Sequence, residues 1–171
     1  DDVSLKEGRT GPLVFVRVTH EVAGESGMAL VEQQDIVYRD QPTPNEPTPA
    51  GKPAPEHEWV REIRPDPVLL FRYSALTFNG HRIHYDRPYA VEAERYPGLV
   101  VHGPLIATLL LDLLRREAPD ARLSHFGFRA VKPLYDTAAF CVCGRRDANT
   151  VSLWARDAEG HIAMDATATL A

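Results

Sequence analysis

A proline-rich stretch, residues 41–57, divides this chain and most constrains how it can fold. It is written QPTPNEPTPAGKPAPEH and shows neither a β-branched pattern nor apolar periodicity. Such a segment is extended and semi-rigid, which is typical of a linker and not of a core. The sequence therefore predicts a short piece, residues 1–40, joined by the linker to a longer piece, residues 58–171.

The first piece has the pattern of β structure. Residues 13–18 and 28–38 are rich in β-branched residues, and Gly24-Glu25-Ser26-Gly27 between them predicts a hairpin turn. A third strand is predicted over residues 3–5. Two or three strands alone cannot bury a core. We therefore expect these strands to complete a sheet whose other parts lie outside this chain, or to pack on the second piece.

The second piece predicts a mixed α+β layer. It begins with a strand over residues 59–63 and a short helix over residues 68–76, which Asp66 and Pro67 start. A polar, histidine-rich loop over residues 78–86 follows. Next comes a helix that is apolar on nearly every face and should be buried. The remaining predicted elements are that helix at 103–114 and strands at 122–131, 138–144, 151–156 and 162–170. An antiparallel meander wrapped around a buried helix is the hot-dog arrangement.

Composition excludes some classes of function. The chain has 171 residues, 44% of them hydrophobic, and a net charge of −5, which argues against a nucleic-acid partner. The apolar run over residues 100–114 is too short to span a membrane. Cys141 and Cys143 lie two residues apart on one strand face, where they are poorly placed to bond each other. We read them as reduced, which predicts a cytoplasmic setting.

Three residues carry the predicted chemistry. His84 exchanges protons near neutral pH, and Asn79 can hold a water molecule although it cannot take a proton. Gly103 begins the buried helix, where free N–H groups and the helix dipole favour developing negative charge. Its lack of a Cβ atom permits close approach to the backbone. These are the parts that addition of water to an unsaturated acyl thioester requires.

The stretch Asn79 to Asp86, followed by Val101-His102-Gly103, resembles the MaoC-like, R-specific hydratase family. In that family an acidic loop motif is followed by an aliphatic-His-Gly motif. The resemblance places His84 at the catalytic histidine and Gly103 at the oxyanion-hole glycine. It places Asn79 at the catalytic aspartate, which makes catalytic residues of His84, Asn79 and Gly103. Substrate contacts are expected from residues near them, namely Phe78, His81, Val101 and His102.

The longer stretch over residues 71–86 is similar to one branch of the family. This branch contains the mesaconyl-C4-CoA (3-methylfumaryl-CoA) hydratases and the mitochondrial 3-hydroxyacyl-thioester dehydratases. The resemblance, which includes residues 8–16 and 34–39, implies a double hot dog with an incomplete first half here. It implies an acyl-CoA substrate, no metal or other cofactor, and a homodimer or double-hot-dog pairing. A mitochondrial setting is the alternative location in a eukaryote.

The asparagine at position 79 leaves the mechanism open at this stage. We favour His84 as acid and base with Asn79 orienting the water; the alternative is that Asp86 tunes His84. A zinc site formed by His81, His84 and Asp86 is a rival, although no cysteine partner or zinc-binding helix motif accompanies it. A hot-dog thioesterase and a non-catalytic acyl-CoA-binding half are the alternative functions.

Overall fold

A computed structural model describes residues 2–8, 11–39 and 51–171 of the chain. The chain divides into two compact units, residues 1–49 and residues 50–171. This division falls within the proline-rich stretch. Residues 41–50 of the predicted linker lie outside the described residues.

The first unit is a three-stranded antiparallel sheet. Its strands are β1 (Asp2–Gly8), β2 (Gly11–Gly24) and β3 (Gly27–Arg39), paired in the order β1-β2-β3. Gly27 follows the β2–β3 turn with φ of +108°, a conformation that a residue with a Cβ rarely adopts. The predicted hairpin and the third strand are both present, and the strands are longer than their apolar runs.

The second unit is a five-stranded antiparallel sheet with two α-helices and, between them, a 3-10 helix (Arg82–His84) and a π-helix (Tyr89–Ala93). The strand order is β4-β6-β7-β8-β5. The elements in chain order are β4 (Trp59–Ile63), α1 (Pro67–Thr77), α2 (Gly103–Glu117), β5 (Leu123–Ala130), β6 (Phe140–Asp147), β7 (Thr150–Arg156) and β8 (Ile162–Leu170).

The prediction of a simple meander is wrong in one respect. Strand β5 pairs with β8 at the sheet edge and not with its neighbour in sequence, β6. The connection between β5 and β6 is held by backbone hydrogen bonds, because Val131 and Lys132 both donate to the carbonyl of Ala163 on β8. The register of an edge strand depends on such nonlocal contacts, which an apolar pattern does not encode.

Helix α2 forms the centre of the core. Its buried side chains include Leu105, Ile106, Leu110, Leu113 and Leu114. They pack against the inner face of the sheet, because α2 contacts β4, β6 and β7. The burial prediction holds for this face, whereas the opposite face carries exposed or half-buried residues. Within the described ranges, no helix is long and apolar enough to cross a membrane.

The end of the predicted linker is part of the second unit. Ala54 donates its N–H to the carbonyl of Gly160 at 2.8 Å, and Lys52 accepts from the N–H of Ile162 at 2.8 Å. Pro53 forms a bridge with His161. Residues 52–54 of the predicted linker therefore pair with the second unit, because an extended segment with few N–H donors can still pair through its carbonyls and its remaining N–H groups.

The start of α1 gives a direct test of local sequence signals. Asp66 adopts an extended conformation, and its side chain accepts the N–H of Leu69 at 2.8 Å. We expect Asp66→Ala to lower the free energy of unfolding by about 1 kcal/mol, because one N–H of the first turn loses its partner. Urea unfolding measures this cost. Asp66→Ser should retain most of the stability, and equal losses in the two variants would contradict the capping role.

Candidate active site

The site begins where α1 ends. Phe78 takes a left-handed conformation with φ of 54°, and its N–H returns to the carbonyl of Ala75. Asn79 likewise donates its N–H to the carbonyl of Ser74 at 2.9 Å. This ending turns the chain sharply into the histidine-rich loop. The side chain of Phe78 is 96% exposed, so its predicted contact with substrate stays a prediction.

Asn79 has a structural bond as well as its predicted catalytic position. Its side-chain oxygen accepts the backbone N–H of His81 at 3.0 Å, which closes an Asx turn. The residue is half-buried. An amide oxygen has a second lone pair and the amide nitrogen has two donors. Asn79 thus shapes the loop and retains the capacity to bind water.

His84 lies in a short 3-10 helix (Arg82–His84) and is 8% exposed. Its Nδ1 is 2.7 Å from the carbonyl oxygen of Val100. A carbonyl only accepts, so Nδ1 carries the proton and Nε2 of the neutral ring is the unprotonated nitrogen. Burial lowers the pKa of His84, an effect that the Val100 carbonyl opposes and nearby His81 reinforces. His84 is therefore a neutral base with a fixed tautomer at neutral pH.

His102 forms a second, more deeply buried histidine. Its ring stacks on that of His84 with centroids 3.7 Å apart and planes 17° apart. Its Nε2 is 2.8 Å from the hydroxyl of Ser74 on α1, and Tyr73 contacts its ring edge-on. Among the residues that the structure describes, Nδ1 of His102 has no hydrogen-bond partner. His102 therefore forms one wall of the site and joins α1 to the entry of α2.

The loss of protein stability at acidic pH should depend on His102. Burial, with a smaller effect from His84, lowers its pKa from 6.5 to about 4. Between these values the unfolded chain binds a proton that the folded chain does not, so the free energy of unfolding should fall as pH decreases through this window. We expect His102→Gln to show a shallower decrease, measured by urea unfolding at steps from about pH 7 to about pH 4.5.

His125 provides the control for this measurement. It is exposed on β5, so His125→Gln removes a histidine that lies outside the buried pair and serves as the reference variant. Equal slopes for all three proteins would contradict the assignment to His102.

Gly103 begins α2 directly after His102, which places the first helical N–H groups beside the stacked histidines. The first-turn N–H groups of a helix have no partner within the helix, and the dipole adds partial positive charge there. Among the described residues outside the helix backbone and its two chain neighbours, a Cβ atom built on Gly103 would meet only the Met164 methyl group, at 3.9 Å. The surrounding side chains therefore leave space beside the Cα atom of Gly103.

The other residues of the predicted site lie around this centre. His81 is exposed and contacts the His84 ring edge-on, with centroids 5.6 Å apart. Val101 is buried in the core and donates its N–H to the carbonyl of Leu134, and its predicted contact with substrate stays a prediction. Asp86 accepts from Arg82 and from the N–H of Tyr89.

These contacts bear on two of the alternatives. The carboxylate of Asp86 is bound to Arg82, and burial, Val100 and His81 account for the pKa of His84. The contacts thus give no support to tuning by Asp86. In the part of the chain that the structure describes, no three His, Cys, Asp or Glu side chains are grouped to hold a metal ion.

Sequence reasoning missed two partners in this site. The carbonyl of Val100 and the hydroxyl of Ser74 hold the two stacked histidines. A backbone carbonyl has no signature in the sequence. Ser74, in a helix that is mainly apolar, was the sequence signal for a buried polar partner.

Comparison with known proteins identifies the family. The family model for hydroxyacyl-thioester dehydratase type 2 matches residues 4–136. The chain belongs to this family. Mesaconyl-C4-CoA hydratase of Chloroflexus aurantiacus is 46% identical over 173 residues, a match that covers 99% of this chain and 60% of that protein. The mitochondrial hydroxyacyl-thioester dehydratase type 2 of Schizosaccharomyces pombe is 38% identical over 106 residues, which cover 61% of this chain and 34% of that protein. The chain thus spans less than two thirds of the length of these curated relatives.

Solved structures support the predicted fold. HtdX of Mycobacterium tuberculosis superposes with a TM-score of 0.72 at 25% identity, covering 98% of this chain and 67% of that one. The (R)-hydratase of A. caviae superposes with a TM-score of 0.56 at 20% identity, covering 73% of this chain and 97% of that one. The hot-dog fold predicted from the sequence is confirmed. The double hot dog stays a prediction.

Proposed function

We propose that this protein reversibly hydrates an α,β-unsaturated acyl-CoA thioester. The observation that carries the proposal is the state of His84, a buried histidine whose Nδ1–H is committed to the Val100 carbonyl. Its Nε2 is then a base beside the start of α2. Family membership supports the same chemistry.

In the proposed mechanism, Nε2 of His84 removes a proton from water as the water oxygen bonds to the β-carbon. The π electrons move toward the thioester carbonyl and form an enolate-like oxygen. The proton that Nε2 of His84 took from water is then delivered to the α-carbon, which returns His84 to its neutral form. The N–H of Gly103 and the α2 dipole stabilise the negative charge on that oxygen. Asn79 holds the water through its amide, while its bond to His81 keeps the loop closed. No proton transfer requires a carboxylate at position 79.

For the substrate, we propose a mesaconyl-C4-CoA type or a related branched dicarboxyl acyl group. The proposal is supported by the 46% identity with the mesaconyl-C4-CoA hydratase of Chloroflexus aurantiacus over nearly the whole chain. The chain spans 60% of that relative. The relative's substrate is therefore proposed for this protein and is not assigned to it from identity alone. Itaconyl-CoA and longer 3-hydroxyacyl thioesters are the competing substrates.

We propose also that a second hot-dog unit pairs with this one and that residues 1–40 are the terminal strands of a preceding half. The sheet of the first unit supports this, because eight of its apolar side chains are exposed and a three-stranded sheet needs a covered face. The exposed residues are Val3, Leu5, Val22, Met28, Leu30, Val31, Val37 and Tyr38. We propose a cytoplasmic setting, consistent with the free cysteines Cys141 and Cys143.

A panel of 2-enoyl-CoA thioesters tests the function. We expect the enoyl absorbance to decrease as the double bond is hydrated, fastest with mesaconyl-C4-CoA, and a matching 3-hydroxyacyl-CoA to form. Free thiol should not appear, because the thioester bond is not cleaved. Thiol release without loss of the double bond would indicate a thioesterase instead, and binding without turnover would indicate a non-catalytic unit.

A further inference from the structure

The backbone that contacts His84 is held in place from its other side. Val101 donates its N–H to the carbonyl of Leu134 at 2.8 Å, and Asp136 donates its N–H to the carbonyl of Leu99 at 3.0 Å. These bonds join residues 99–101, just before α2, to the connection between β5 and β6. In an extended segment, the backbone N–H and C=O groups of successive residues point in alternate directions. The N–H and C=O groups of the residue between Leu99 and Val101 therefore point away from the β5–β6 connection.

That intervening residue is Val100, and both of its backbone groups bind the 3-10 helix (Arg82–His84) that carries His84. Its N–H donates to the carbonyl of Ile83 at 3.0 Å, and its carbonyl accepts from Nδ1 of His84 at 2.7 Å. The position of the Val100 carbonyl therefore decides which nitrogen of His84 carries the proton.

The carboxylate of Asp136 also binds this backbone, at the residue just before Val100. Its side chain is 1% exposed, pairs with Arg87 and accepts the N–H of Leu99 at 2.9 Å. It lies so close to the backbone that a Cβ atom on Gly98 would come within 2.6 Å of its oxygen. A buried carboxylate with a charged partner and a backbone N–H fixes the segment that precedes Val100.

We propose that Asp136 is a positioning residue that sets the tautomer of His84 through the backbone of Leu99 and Val100. It acts through that backbone and does not touch substrate. The inference rests on the proposed function, since a base at Nε2 requires the proton at Nδ1. Without the carboxylate, the N–H of Leu99 loses its acceptor and the Val100 carbonyl is free to shift, which allows the His84 ring to carry its proton on Nε2.

Two variants test the inference. Asp136→Ala removes the acceptor, and Gly98→Ala leaves the carboxylate in the chain but forces it away from the backbone, since its Cβ would also lie 2.8 Å from Thr137. In ¹⁵N-labelled protein we expect NMR of the His84 ring to show protonation at Nδ1 before substitution and an added population protonated at Nε2 in both variants. The kcat for a 2-enoyl-CoA should fall about 10-fold to 100-fold with KM within about threefold.

Asp157 provides a matched control. It also pairs with a cation, Lys132, and accepts a backbone N–H, that of His161 at 2.7 Å, with a side chain 9% exposed. It lies at the turn between β7 and β8. Asp157→Ala should lower the thermal midpoint as Asp136→Ala does, while the His84 tautomer and kcat stay unchanged.

The inference is overturned if both test variants keep the proton on Nδ1, or if Asp157→Ala shifts the tautomer equally. Where Asp136→Ala does not fold, Gly98→Ala carries the test. The tautomer is measured without substrate, so its outcome stands apart from the proposed function. A protein that hydrates no enoyl-CoA but responds to Asp136 as expected would contradict the function and not the positioning role.

Discussion

Replacement of His84 by alanine is expected to lower kcat for enoyl-CoA hydration by about 10²-fold to 10⁴-fold, the range over which a general base contributes. Nε2 of this ring is the base in the proposed mechanism, because Nδ1 is bonded to the Val100 carbonyl. Asn79 cannot replace it, since an amide does not accept a proton from water at neutral pH. Stopped assays of 3-hydroxyacyl-CoA formation, together with kcat and KM, measure the loss.

Two further variants separate the loss of a base from damage to the fold. His125→Ala removes an exposed histidine on β5 and should leave kcat unchanged. His84→Gln fills more of the buried site than alanine does and should be as inactive, because glutamine cannot act as a base. Thermal midpoints of all variants should be recorded, since His84 stacks on His102. A kcat for His84→Ala within about twofold of the unmodified protein would remove His84 from the mechanism.

Where local signals decide the structure, the sequence predicted it well. Asp66 followed by Pro67 predicted the start of α1, and the structure has the capping bond to the N–H of Leu69. The leucine-rich helix after Gly103 is buried on the face that meets the sheet. These features depend on a few consecutive residues, so propensity and pattern were sufficient.

Nonlocal pairing limited the prediction of the rest. Strand β5 crosses to the far edge of the sheet, and nothing within its eight residues favours β8 over β6 as a partner. The partners in the site are similarly distant. Ser74 is 28 residues from His102, and Asp136 is 37 residues from Leu99. The resemblance assigned His84 and Gly103 to the predicted site, whereas the groups that hold the stacked histidines His84 and His102 required coordinates.

Asn79 shows how the structure changes a prediction without deciding it. The sequence assigned this amide to the water, and the structure adds a bond to the N–H of His81. The same oxygen therefore shapes the loop that leads to His84. A loss of activity in an Asn79 variant would combine both effects, so the assignment of the base depends on the variants of His84.

Gly103→Ala is expected to lower kcat/KM by about 10²-fold to 10³-fold, the loss seen when one oxyanion-hole donor is removed. In the proposed complex the thioester oxygen approaches the N–H at the start of α2, and a methyl group there would keep it at a distance. The measurement is kcat and KM for the best enoyl-CoA of the panel.

The protein itself should tolerate this substitution, which makes the test specific. Among the described residues outside the helix backbone and the chain neighbours, a Cβ atom at position 103 would meet only the Met164 methyl group, at the ordinary contact distance of 3.9 Å. The thermal midpoint should therefore change little. Gly127→Ala on β5 is the matched control, since its Cβ would meet His125 at 3.5 Å and no site residue. Close approach of the thioester to the α2 backbone would be supported if Gly103→Ala loses activity and keeps its fold. Gly127→Ala should keep both its activity and its fold. Full activity in Gly103→Ala would exclude it, and the enolate-like oxygen would then require a donor elsewhere in the site.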